Sequence, residues 1–144
     1  LCLTSNLFGK ELLTEIKVTD GDTVKGKYEN ELIKVRLAEI DAPELKQAFG
    51  VESKSCLKEL IKQSDGKVFF KFKEKDRYKR HVGWLYSENL DINLEMVKKG
   101  CAWVYDRYVE RKVLFKHQNF AKKNKLGLWK NANSIAPWDW RRLN

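Results

Sequence analysis

Asp20-Gly21-Asp22-Thr23 places two carboxylates on either side of a glycine, in a turn that leads into a strand. Taken alone this is ordinary turn chemistry. It is not an EF-hand loop, since the third ligand position is Val24 and the obligatory glycine position is Lys25. A second segment runs Arg36-Leu37-Ala38-Glu39-Ile40-Asp41-Ala42-Pro43-Glu44. Arg36 lies on a strand whose neighbours alternate inward, so its guanidinium can project at the barrel surface; the bland alternative is a surface ion pair with a nearby acid, Glu39 above all. Asp41 closes that strand, and Pro43 drives Ala42 away from helical angles and re-aims the chain. The third segment, Asp76-Arg77-Tyr78-Lys79-Arg80, is a turn between two strands, in which Arg77 and Lys79 read as a solvated tip.

The three segments mean more together than apart. Two aspartates, a glutamate and two arginines are the set that cleavage of a phosphodiester around one hard cation requires. Carboxylates hold the ion, a glutamate manages the attacking water, and guanidiniums neutralise charge growing on phosphorus. Losing one such charge contact typically costs about 3–4 kcal/mol of transition-state stabilisation. Arg serves better than Lys because its planar fork engages two phosphate oxygens and stays charged. On this reading Arg36→Lys loses most activity and leaves the fold intact. Oxygen donors without Cys or His nearby point to calcium or magnesium rather than zinc.

These segments need a scaffold. Residues 11–19 alternate around Leu13, Ile16 and Val18, and residues 23–28 and 32–40 flank a hairpin turn at Glu29-Asn30-Glu31. Residues 67–75, with Val68, Phe70 and Phe72 on one side, and residues 81–86, with Val82, Trp84 and Tyr86, complete five strands. Three helices are expected. The first covers 49–63 with Cys56, Leu57, Leu60 and Ile61 inward, and the second 92–99 with Asp91 as N-cap and Gly100 as stop. The third covers 110–125 and buries Leu114, Phe120 and Ala121. A tail at residues 137–142 packs back on the body. The pattern is α+β, a five-stranded barrel with helices at one side, because closure removes exposed sheet edges. The expected organisation is a short extension over 1–10 and a single domain over 11–142.

Of the chain's 144 residues, 29 are Lys or Arg and 20 are Asp or Glu, a net charge of +9. The surplus is local: residues 98–144 hold 12 basic and 3 acidic side chains, and the rest balances. Such a surface suits polyanions or an anionic membrane face. Arg107, Arg111, Lys112, Lys116, Lys122, Lys123 and Lys125 form either a track for nucleic acid or a solvated helix face. Tyr105 and Tyr108 are candidates for stacking on bases, while Trp103, Trp129, Trp138 and Trp140 read as packing residues. No apolar run is long enough to span a membrane, and no amphipathic helix has the broad apolar face of a surface anchor. Cys2, Cys56 and Cys101 are widely spaced and odd in number, which argues against a disulfide framework and reads as free buried thiols, with one bridge open to an exported protein. The chain starts at Leu1, and Leu1-Cys2-Leu3 reads as the remnant of a removed leader or as a cut boundary.

The ordered set of motifs resembles staphylococcal-nuclease-like (thermonuclease) domains. It comprises Asp20-Gly21-Asp22-Thr23, Arg36, Asp41-Ala42-Pro43-Glu44, the turn 76–80, Asp91 to Val97, Gly100 to Tyr105, Gly127-Leu128-Trp129 and Pro137-Trp138. The likeness spans roughly Leu12 to Arg142. It implies an OB-fold barrel of five strands with three helices, and calcium-dependent cleavage of DNA and RNA at the 5′ P–O bond, leaving 3′-phosphates. By motif position, Asp22 and Asp41 with the Ala42 carbonyl hold one Ca2+, and Asp20 is an outer-shell residue. Arg36 and Arg80 contact the scissile phosphate, Glu44 acts as general base, and Tyr108 flanks the nucleotide. The implied partner is nucleic acid, with single strands favoured, acted on by a monomer. The family's exported bacterial members make the expected location secreted or the cell envelope. Ala42 replaces a common threonine, Lys79 replaces a glycine that permits positive φ, and the loop between Glu44 and Phe49 is short. The alternative is a non-catalytic OB-type module that binds nucleic acid or protein; degenerate members lose these acids and arginines, and this chain keeps them all.

Overall fold

A computed structural model describes residues 9–144. The segment Leu1-Cys2-Leu3 and nearly all of the expected N-terminal extension lie outside the described residues. The first strand, β1 (Lys10–Asp20), buries both Leu13 and Val18. These are five residues apart, which in a regular strand sends them to opposite faces. A bulge resolves the conflict: the pairing register shifts between Thr14 and Lys17, where Glu15 takes φ 52°. β2 (Thr23–Tyr28) and β3 (Glu31–Leu37) form a hairpin closed by Glu29 and Asn30, both at positive φ, as a two-residue turn between twisted strands demands. Ile33, Val35 and Leu37 of β3 face the core.

The strand expected to run through Ile40 breaks earlier. Glu39 sits at φ 71°, and Ile40–Asp41 form a separate short strand, β4. Helix α1 (Gly50–Gln63) buries Gly50, Ser53, Leu57 and Leu60 and packs on β1. β5 (Val68–Lys75) and β6 (His81–Tyr86) follow. The barrel closes in the order β1-β2-β3-β6-β5, with β3 and β6 parallel and β5 returning to β1. In β6 it is Gly83 and Leu85 that are buried, and a Cβ at residue 83 would collide with the Lys71 carbonyl and the Phe70 ring. That glycine lets Phe70, fully buried, fill the barrel. Phe72 falls beyond the covered part of the sheet and is exposed, as the β5–β6 register slips after it.

Asp91 caps α2 (Ile92–Lys98) by accepting from the Leu94 N–H at 3.0 Å, and Gly100 at φ 71° ends it. Asn93, fully buried, fixes α2 to the barrel: its amide donates to the Ala38 and Gly83 carbonyls and its oxygen accepts from Leu85. β7 (Trp103–Val104) pairs with β4, placing Trp103 opposite Asp41. α3 (Val113–Lys123) is shorter than the expected 110–125 and buries Leu114, Gln118 and Ala121. Phe120 is exposed, because it lies one residue, about 100° of helix turn, away from Ala121.

The tail forms a fourth helix, α4 (Pro137–Leu143), where three were expected. Pro at its start suits the first turn, and Trp138 packs against Trp103 and lies parallel to the Tyr105 ring at 5.4 Å. The cysteines also differ from expectation. Cys56 of α1 and Cys101, just after α2, form a disulfide with their Cα atoms 6.4 Å apart. Their 45-residue separation hides this proximity, which the packing of α1 against α2 creates. The architecture is thus an OB-type α+β barrel, and among the described residues no helix is long and apolar enough to cross a membrane.

Candidate active site

Each segment singled out in the sequence reaches the same face of the barrel. The β1–β2 turn carries Asp20 and Asp22, the end of β3 carries Arg36, β4 carries Asp41, and the loop beyond it carries Glu44. All of them, with Arg80 and Tyr108, line one cleft of about 740 Å3. Gly21 is required for this placement, because a Cβ there would strike the Ser53 hydroxyl and sit 2.7 Å from the Ala42 Cβ. The turn therefore lies directly on α1 and on the chain that bears Asp41.

The carboxylates are buried and held in place. Asp22 Oδ2 accepts from the Ala42 N–H at 2.7 Å, Oδ1 accepts from the Thr23 hydroxyl at 3.0 Å, and the Asp22 N–H donates to Asp20 at 3.0 Å. Ala42 is buried and does not line the cleft. Arg36 ties the aspartates together: Nη2 is 3.5 Å from Asp22 and 3.2 Å from Asp41, while Nη1 donates to the carbonyls of Leu37 and Ile40 at 2.6 and 2.9 Å. Its side chain is only 12% exposed. The surface position expected for Arg36 is therefore corrected: β3 ends beside it, and the turn that follows wraps the guanidinium.

Glu39 is corrected too. It is buried and pairs with Arg111, not Arg36. Its carboxylate accepts from Trp84 Nε1, Arg111 Nε and the N–H groups of Glu110 and Arg111. Burial alone would raise its pKa, but these hydrogen bonds outweigh burial and hold it below the usual carboxylate range. Arg111 also binds Asp91, so it belongs to the scaffold rather than to a basic track. Lys122 lies over the Trp129 ring, 4.8 Å from its centre, whereas Arg107 lines the cleft beside Tyr108.

At the 76–80 turn, Lys79 adopts φ 64°, the conformation a glycine takes easily. Asp76 accepts from the N–H groups of Tyr78 and Arg80 and pairs with Arg80 Nε at 2.8 Å. Arg80 thus remains on the cleft wall, with its guanidinium engaged by Asp76.

Arg141 of α4 also lines the cleft, a residue the sequence reading did not select. It donates to both oxygens of Asp41, at 3.1 and 2.7 Å, and to Glu44 at 2.8 Å. A terminal arginine a hundred residues from Asp41 carries no local signal; the only hint is a basic residue in a segment whose tryptophans must pack back.

Burial and the neighbouring charge of Asp22 push Asp20 up to about 7. Burial pushes Asp41 up to about 6 against the opposing hydrogen bond from Arg141, and the charge of Asp22 adds to the rise. Burial also opposes the charge on Asp22, but Arg36 and the Ala42 N–H outweigh it and its pKa is lowered. Asp20, Asp22, Asp41 and Glu44 bring four negative charges when all are ionised, and Arg36 and Arg141 bring two positive ones. The cluster is short of two positive charges and offers hard oxygen donors, which is the chemistry of a divalent-cation site. Among the described residues, no three Asp, Glu, His or Cys side chains are already gathered around a single point. The donors are present, with guanidiniums between them.

A family model described as "Staphylococcal nuclease homologue" matches residues 34–131. The chain belongs to that family. Among its relatives, a Haemophilus influenzae protein named "Uncharacterized endonuclease" is 46% identical over 131 residues, covering 88% of this chain and 71% of its own length. An Escherichia coli O157:H7 protein of the same name is 39% identical over 127 residues, with 88% and 82% covered. The Shigella flexneri protein named "Micrococcal nuclease" is 36% identical over 141 residues, with 90% and 79% covered. The matched region holds Arg36, Asp41, Glu44 and Arg80 of this nuclease homologue, while Asp20, Asp22 and Arg141 lie outside it.

Proposed function

We propose that the protein is a calcium-dependent nuclease that hydrolyses phosphodiester bonds of DNA and RNA, breaking the 5′ P–O bond and leaving 3′-phosphates. The observation that carries this reading is one cluster inside the cleft, in which the carboxylates of Asp20, Asp22, Asp41 and Glu44 gather around only Arg36 and Arg141, with Arg80 and Tyr108 on the same wall. Family membership and the names of the relatives support the reaction class.

Asp22 and Asp41, which line the cleft, would hold the ion, with Asp20 behind them. The ion, when bound, supplies positive charge to a phosphate oxygen and acidity to a bound water. Glu44, one-third exposed at the cleft edge, takes the proton from the attacking water. Arg36 and Arg80 oppose the charge that builds on phosphorus, and Arg80 must turn from Asp76 toward the substrate to do so. Tyr108, exposed and beside Tyr105, flanks a base. One chain supplies every group, so a monomer suffices. The Cys56–Cys101 bridge supports an oxidising location, secreted or in a cell envelope.

The test is incubation with single-stranded DNA and with RNA, in calcium or in a calcium chelator. The expected result is cleavage only with calcium, with product 3′ ends that a polymerase extends only after phosphatase treatment. Retention of the strand without cleavage in either condition refutes the nuclease and leaves a binding module.

A further inference from the structure

Arg141 holds the one carboxylate that the proposed cation site can least spare. Asp41 is 1% exposed, its Oδ2 accepts from Arg141, and its Oδ1 is shared between Arg141 and Arg36. Such a fork-to-fork pair uses the same lone pairs that a cation would use. An ion reaches Asp41 only by taking a place that this guanidinium occupies. Arg141 has somewhere to go: its side chain is 38% exposed, and it hangs from a helix fixed independently through Trp138. It also lies in the cleft with Arg36 and Arg80, where an incoming phosphate brings negative charge.

We propose that Arg141 is a substrate-binding residue held in reserve by Asp41 and Glu44: the divalent cation displaces its guanidinium from Asp41, and the freed side chain then pairs with a phosphate of the nucleic acid. This rests on the calcium reading above and adds a residue to it. In that sequence the cation and Arg141 compete for one carboxylate, whereas the cation and the nucleic acid assist one another. No bond is made or broken; one ion pair is exchanged for another.

The experiment compares wild type, Arg141→Gln and Arg141→Lys. Calcium binding is measured by calorimetry. Affinity for an oligothymidylate whose 5′ P–O bonds are replaced by P–CH2 linkages, which keeps the charge and resists cleavage, is measured over a salt series. Removing the competitor should tighten calcium binding about tenfold in Arg141→Gln. With calcium present, the salt slope of oligonucleotide binding should fall by about 0.7, one phosphate contact on a single strand. With chelator the slope should not change, because Arg141 is then engaged by protein carboxylates. Arg141→Lys, which keeps the charge but loses the fork, should tighten calcium binding while retaining the slope. Unchanged or weaker calcium binding in Arg141→Gln, or a slope that falls equally with and without calcium, overturns the proposal while leaving the nuclease reading in place. If neither wild type nor variants bind calcium, the cation site itself is refuted, and this proposal with it.

Discussion

Glu39→Gln is the sharpest probe of how this cleft is supported. Four donors converge on the Glu39 carboxylate: Trp84 Nε1 and Arg111 Nε, each 2.7 Å from Oε1, and the N–H groups of Glu110 and Arg111, 3.0 and 2.8 Å from Oε2. Glutamine keeps one oxygen, so its amide NH2 must face two donors whichever way it is turned. Two hydrogen bonds to a charged group are lost, at about 1.5–3 kcal/mol each. Arg111 retains Asp91 at 2.5 Å, which limits the damage. The expected loss is about 4 kcal/mol, within the range for breaking a buried ion pair, and a fall in Tm of about 8–16 °C for a chain of this size. The assay is urea denaturation of both proteins from pH 7 to pH 3. The folded-state pKa of Glu39 is depressed, so its contribution is fully present above the unfolded value of about 4.3 and is lost as pH falls through the folded value. The gap between wild type and variant should therefore hold steady at neutral pH and close in acid. A gap under about 1 kcal/mol at pH 7, or one that persists unchanged at the acid end, refutes the reasoning.

Arg36→Lys should destabilise the fold as well as lower activity, by about 2–3 kcal/mol in urea, because one ammonium cannot span the Leu37 and Ile40 carbonyls and two aspartates together. A variant as stable as wild type would show that the guanidinium is not part of the scaffold. Lys79→Gly should stabilise the protein by about 0.5–1 kcal/mol by relieving positive φ, with the denaturation midpoint as readout; a loss of stability would contradict the strain. Cys56→Ser with Cys101→Ser should cost about 4 kcal/mol, from the closure entropy of a loop of this length. Urea denaturation of the double variant against the oxidised wild type reads this loss, and the reduced wild type should melt with the variant.

What the sequence discloses of this protein is what local patterning controls. Alternation placed the strands, and Asp91 and Gly100 marked the ends of α2, because caps and pleats are decided within a few residues. Hydrophobicity alone points Phe120 inward, yet the buried face of α3 runs through Gln118, whose oxygen accepts from the Val104 N–H at 2.7 Å. Glu39 read as a surface acid because its partners, Trp84 and Arg111, are 45 and 72 positions away. Which two cysteines pair, and the place of Arg141, are hidden for the same reason. At the site, the acids and arginines were legible as a motif, but the count of opposing charges was not, since it depends on a helix too short to show a period.

The ionic groups of the cleft are drawn from positions 20 to 141, and Arg141 of α4 meets Asp41 and Glu44 from nearly a hundred residues further along the chain. A growing polypeptide therefore cannot assemble the full set while it is being translated until residue 141 has cleared the ribosome. For the same reason, a protease cut or a frameshift ahead of α4 would remove the guanidinium set against Asp41 and Glu44 and leave Arg36 alone among the acids.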